Sequence, residues 1–128
     1  MRAPRLSHHE GAMADIGWFA ELLKETLSGV GFFEDYVQLH FNLHPLLNIY
    51  SSVLVTVDGA GRASGEPGFA DALLGQMRKK VADVQIEAER CIAIRFKDGS
   101  AVSFSTKPPK GSRAAFTLFT AGGAIHEE

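Results

Sequence analysis

The apolar positions of the chain follow two periods, and the changes between them divide it into elements. Over DIGWFAELLKETLSG, Ile16, Phe19, Leu22, Leu23 and Leu27 recur at helical spacing, with Glu21 and Glu25 on the opposite face. Asp15 suits the start of this helix as an N-cap, and Gly29 and Gly31 suit its end. In GFFEDYVQLHF the period shortens to two. Val37, Leu39 and Phe41 alternate with Tyr36, Gln38 and His40, as along a strand with one buried face. A turn over 42–45 leads into LLNIYSS and VLVTVDG, two more strands or one long bent strand. EPGFADALLGQMRKK predicts a second helix, with Pro67 in its first turn and Phe69, Leu73, Leu74, Met77 and Val81 as the buried stripe. Arg78, Lys79 and Lys80 fall in its last turn, where positive charge suits the helix dipole. VADVQIEAE, CIAIRF and AVSFST read as strands. TKPPKGSR reads as a loop, because proline cannot donate to an interior ladder, and AAFTLFTAGG as a last strand with a frayed tail.

Register can be read in the two hairpins. A two-residue Asp98-Gly99 turn would pair Ile94 with Ser103 and send the two apolar rows to opposite faces. A three-residue loop, Lys97-Asp98-Gly99, pairs Ile94 with Val102 and Ile92 with Phe104, and asks Gly99 to be left-handed. The same operation on YVQLHFNLHPLLNIY gives a loop of Asn42, Leu43 and His44, pairing Leu39 with Leu47 and Val37 with Ile49. Phe41 then corresponds to Phe96, and FAELL to FADALL. The chain reads as two copies of helix, strand, hairpin, strand, although generic α+β patterning would give the same impression.

The expectation is one α+β domain over 14–128, behind a flexible N-terminal tail at 1–13: an antiparallel sheet of six or seven strands with two packed helices. The half-repeats would span 14–58 and 66–120, joined by a Gly-rich loop at 59–65. The 128 residues suffice to bury a core without disulfides or metals. Thirteen Lys and Arg against fifteen Asp and Glu leave no strong field toward nucleic acid or anionic membrane. The single cysteine, Cys91, allows no internal disulfide and fits a reducing cytoplasm. No apolar run approaches the length of a membrane-spanning helix.

The stretch GFADALLGQMRKKVADVQIEAERCIAIRFKDGSAVSFST resembles a family of small uncharacterised bacterial α+β domains that read G-F-x-D-A-L, then a strand, then an apolar strand ending in F-x-D-G. Some members are similar to immunity-type proteins found beside toxin genes. Such domains continue into a G-P-E-A segment, where this chain has Gly111-Ser112-Arg113-Ala114 without the proline and glutamate. The resemblance brings no catalytic residues.

Six groups of residues bear on chemistry or binding. His40 and His44 are the candidate metal ligands, but they span a strand end and a turn, and no third ligand is evident. Cys91 lacks a base within its own strand, and Arg90 beside it points to the other face. Arg78, Lys79 and Lys80 could join Lys107, Lys110 and Arg113 as a phosphate-binding patch if the last loop folds toward the helix end. GAGRASG lacks the Gly-Lys-Ser/Thr ending of a phosphate loop, and Asp83, Glu87 and Glu89 read as surface. Trp18, Phe32, Phe33 and Tyr50 fall beside the main apolar stripes, where aromatics serve interfaces. The leading expectation is a cytoplasmic, non-catalytic, protein-binding module of inhibitor or immunity type, with no cofactor. The alternatives are a small-ligand or metal-binding protein using His40 and His44, and a nucleic-acid-associated module. An exposed strand edge would allow a homodimer.

Overall fold

The computed structural model describes residues 16–42, 45–87, 91–111, 114–120 and 125–127. A 3-10 segment (Ile16–Leu22) precedes β1 (Leu27–Phe32), β2 (Val37–Phe41), β3 (Leu46–Ile49), β4 (Val53–Val57) and β5 (Ala60–Ala63). Helix α1 (Phe69–Leu74) then leads to β6 (Val81–Glu87), β7 (Cys91–Phe96), β8 (Ala101–Ser105), β9 (Phe116–Phe119) and β10 (Ile125–Glu127). The strands form two antiparallel sheets, ordered β1-β2-β3-β9-β10 and β5-β4-β8-β7-β6. The α+β class and antiparallel pairing agree with the sequence reading. One sheet of six or seven strands becomes two sheets and ten strands, and only one short α-helix is present among the described residues. The 1–13 tail lies outside the described residues.

The inward faces of both sheets share one core. Leu39, Phe41, Leu47, Ile49, Phe116 and Leu118 come from the first sheet; Val53, Val55, Ile92, Ile94, Val102 and Phe104 come from the second. Phe104 and Phe116 meet edge to face with centroids 5.5 Å apart, and Phe19 lies 5.4 Å from Phe116 and 6.2 Å from Phe104. Burying three aromatic rings at this junction ties the sheets together through apolar area and favourable ring geometry.

Both predicted registers are present. Ile92 pairs with Phe104 and Ile94 with Val102, and the loop closes between Phe96 and Ser100 with Gly99 at φ 94°. Val37 pairs with Ile49 and Leu39 with Leu47. Leu43 and His44 of that loop lie outside the described residues.

The first predicted helix is replaced by a shorter 3-10 segment and a strand. Phe19 and Leu22 are buried, but Leu23 is exposed, and Leu27 begins β1. The Leu27 N–H donates to the Lys79 carbonyl and its own carbonyl accepts from Arg78, so tertiary pairing overrides the helical period. The second helix ends by Gly75, so Arg78, Lys79 and Lys80 lie beyond it and Val81 opens β6. Pro67 precedes an N-cap at Gly68 instead of occupying the first turn. The 59–65 segment is mostly not a linker: Asp58 and Gly59, at φ 52° and 81°, make a two-residue turn between Val57 and Ala60, and 60–63 is β5. The chain end at 125–127 pairs with β9 instead of fraying.

The two sheets match position by position. Leu27 pairs with Phe41 and Val81 with Phe96, each followed by a bulge at the next step. Thr26 bridges Lys80, and the flanking bonds repeat across that bridge: Lys24 N–H to Val81 O with Arg78 N–H to Leu27 O, and Val81 N–H to Glu25 O with Leu27 N–H to Lys79 O. Lys24 and Arg78 share the rare positive φ, at 72° and 77°. The correspondence continues into an exchange. β4 and β5, from the first half, complete the second sheet beside β8, while β9 and β10, from the second half, complete the first sheet beside β3. Tyr50 N–H to Ala115 O and Ser105 N–H to Ser52 O tie the two crossing points in matching fashion.

Candidate functional site

The outer face of the first sheet carries an aromatic run. β1 and β2 are joined through Glu34 and Asp35, with the Phe33 N–H donating to the Tyr36 carbonyl. Phe33 stacks on Tyr36 at 4.7 Å, and Tyr36 meets Tyr50 edge to face at 5.7 Å. Phe33 is half exposed, and its ring folds back over Gly31, where a Cβ would come within 2.8 Å of it. Phe32 turns to the other side of the strand and meets Phe69 at 6.4 Å while staying 45% exposed. The opposite orientations of Phe32 and Phe33 follow from strand alternation. Of the four aromatics expected at an interface, Phe33 and Tyr50 belong to one run, Phe32 lies on the other face, and the Trp18 side chain falls outside the described residues.

A polar network borders this run. His40 Nε2 and Gln38 Oε1 are 2.6 Å apart, and Gln38 Nε2 donates to Asn48 Oδ1 at 2.8 Å. The Tyr50 hydroxyl is 3.0 Å from Thr117 Oγ1. The contact with Gln38 makes the exposed His40 ring a member of this surface chain. His44 lies outside the described residues, and no group of three His, Cys, Asp or Glu that could hold a metal occurs among the described residues.

The basic residues are not brought together by any described contact. Lys107 and Lys110 are exposed in the loop after β8, and Arg113 lies outside the described residues. Lys79 is engaged elsewhere. Its Nζ is 2.7 Å from Asp98 Oδ2 and donates to Ser100 Oγ at 3.1 Å. The Ser100 hydroxyl lies 2.5 Å from Asp98 Oδ1 and 2.7 Å from Gln76 Oε1, and the Ser100 N–H donates to that same Asp98 oxygen. Gln76 completes its bonding by donating to the Ala72 carbonyl at 3.1 Å. The Lys79 hydrogen bond, then those from Ser100, hold the Asp98 carboxyl well below the usual carboxylate range. Gln76 and Ser100 are buried but satisfied, so this cluster fastens the 97–99 loop to the segment after α1. Periodicity missed it because Gln76 and Ser100 have no signature outside their tertiary setting.

A cleft of about 400 Å³ opens above this cluster, between α1 and the β4–β5 hairpin, lined by Val57, Arg62, Asp71, Ala72, Gln76 and Lys79 among others. Arg62 donates to the Gly61 carbonyl and has no carboxylate partner among the described residues. Reading 59–65 as a Gly-rich joining loop hides this cleft from the sequence, because 60–63 is β5. Cys91 is partly buried at the start of β7, opposite Ser105. No helix among the described residues is long and apolar enough to cross a membrane. Comparison of the chain with protein-family models, with curated proteins and with solved structures finds no match.

Proposed function

We propose that the chain is a non-catalytic protein-binding module that receives its partner on the outer face of the first sheet. The carrying observation is the Phe33–Tyr36–Tyr50 run, rimmed by the hydrogen-bonded Gln38, His40 and Asn48. Rigid aromatics beside preorganised amides give contact area at small entropic cost, the composition of binding hot spots. Glu34 and Asp35 beside the run favour a partner that offers basic and aliphatic residues. The inhibitor or immunity-type role, the bacterial source and the cytoplasmic setting rest on the sequence resemblance and the single cysteine. Tyr36→Ser with Tyr50→Ser is the test. The wild-type chain, used as bait in its native cell extract, should retain a stoichiometric protein that the double variant loses by at least tenfold. Equal retention by both, or none by either, removes this reading.

The matched registers and exchanged hairpins support descent of both halves from one unit, extended to 63 and 127 relative to the 58 and 120 read from sequence. A second functional reading has the cleft as its specific support, because Arg62, which forms no ion pair among the described residues, lines a concave site. It predicts a small anion as ligand. Inorganic phosphate or a dicarboxylate should then raise the wild-type melting temperature but not that of Arg62→Ala.

A further inference from the structure

The two matched edge strands, β1 and β6, differ in one respect. In β6 the edge is blunted. The Asp83 carboxylate accepts from the Val84 N–H at 2.9 Å and from Gln85 Nε2 at 2.6 Å, while Arg95 Nε donates to Gln85 at 3.3 Å. The partners His40 and Arg95 identify the corresponding positions: Gly29 stands for Asp83 and Gly31 for Gln85. β1 therefore carries neither the cap nor the charge that protects its counterpart.

The open part of that edge is short and defined. At Leu27 it is already taken by Lys79 and Arg78. Beyond, the bond from the Phe33 N–H to Tyr36 makes 33/36 a hydrogen-bonded pair, so alternation turns the N–H and C=O of Val30 and Phe32 away from β2. No strand lies on that side among the described residues.

We propose that a second copy of this chain pairs antiparallel along β1, with the two-fold axis at Gly31. This register lets Val30 and Phe32 of each copy exchange all four of their outward-facing backbone groups. It lays the exposed Phe32 beside Val30 of the other copy, and it brings the two Phe33 rings together over the glycines. It also carries Glu34 and Asp35 to the end of the window, where Arg78 and Lys80 of the other copy are exposed. That charge match selects a second copy over an unrelated strand. Such an isologous contact closes on itself and leaves the blunted β6 edges outside. A single strand pair with two aromatics per side falls below the ~1,200 Å² of standard interfaces, so the dimer is weak, with a dissociation constant in the micromolar range or above. The inference goes beyond the partner-binding reading: the two share Phe33, Glu34 and Asp35, whereas the β1 backbone edge serves the dimer alone and Tyr36 and Tyr50 serve the partner alone.

The test is light scattering and sedimentation of the purified full chain across a concentration series. Wild type should pass from monomer to dimer. Gly29→Asp copies the β6 cap onto β1, and its Cβ would meet His40 at an ordinary 3.5 Å, so the fold accepts it. It should weaken dimerisation at least tenfold with unchanged circular dichroism. Glu34→Lys with Asp35→Lys should weaken it too, and adding Arg78→Glu with Lys80→Glu should restore it. A wild type monomeric to millimolar concentration, or a dimer indifferent to Gly29→Asp, overturns the proposal. So does slow exchange of the Val30 and Phe32 amides in the dilute monomer, which would mean that the chain's own residues cover the edge. Partner capture is read separately at Tyr36 and Tyr50, so either proposal can fail alone.

Discussion

Asp98 shows how a single residue joins an otherwise legible hairpin to the rest of the molecule. Its carboxyl accepts from Lys79 and Ser100, and these bonds depress its titration in the folded state. The unfolded carboxyl titrates near ~3.9, so the stabilisation is complete above that pH and is lost as pH falls through the lower folded value. Asp98→Asn should therefore melt at a lower temperature than wild type at pH 7, with the gap closing as pH falls below about 4 toward the lower folded value. A gap independent of pH would remove the carboxylate from the explanation. The sequence revealed Gly99 through register, because only a left-handed residue aligns Ile94 with Val102. It did not reveal Lys79, whose helical-looking run concealed a reach to Asp98 across the fold. The Phe33 ring over Gly31 was invisible for the same reason: strand patterning gives the face of a residue, not the neighbour it folds against.

At the scale of elements, short-range signals located strands well and helices poorly. β2, β3, β7 and β8 are legible with their registers because a one-residue slip would expose an apolar row. The first helix is ambiguous in the sequence because Phe19 and Leu22 satisfy a 3-10 turn as well as an α-helical stripe. β5 is silent in the sequence because AGRA has almost no apolar signal; its burial pattern is that of an exposed edge. The edge β6 gives the element-scale prediction. Asp83→Gly should bare it while leaving the core intact. With the β1 edge unpaired among the described residues, each molecule would then have two adhesive edges, and growth becomes open-ended. Static light scattering should rise continuously with concentration for Asp83→Gly and remain bounded for wild type. A bounded variant would show that the Asp83 cap is dispensable.

At the scale of the molecule, neither half owns a complete sheet. The first sheet needs β9 and the second needs β4, and the Phe104–Phe116 contact joins the two. Unfolding should therefore be a single cooperative transition. Exchange of the Leu47 and Val102 amides should report the same global opening free energy, and divergent values would mean two independent units. The sequence suggested the halves but not their exchange. Periodicity describes what a segment can bury, whereas the choice between its own sheet and the opposite one is decided by pairing across the whole chain.

The exchange of terminal hairpins has a consequence for synthesis. A ribosome releases β1, β2 and β3 long before Phe116, yet β3 keeps a bare inner edge until β9 arrives. The nascent first half must wait unfinished, with its apolar face uncovered, so productive folding waits until β9 has left the ribosome, and a premature stop anywhere before residue 116 should yield a product that chaperones hold and proteases remove.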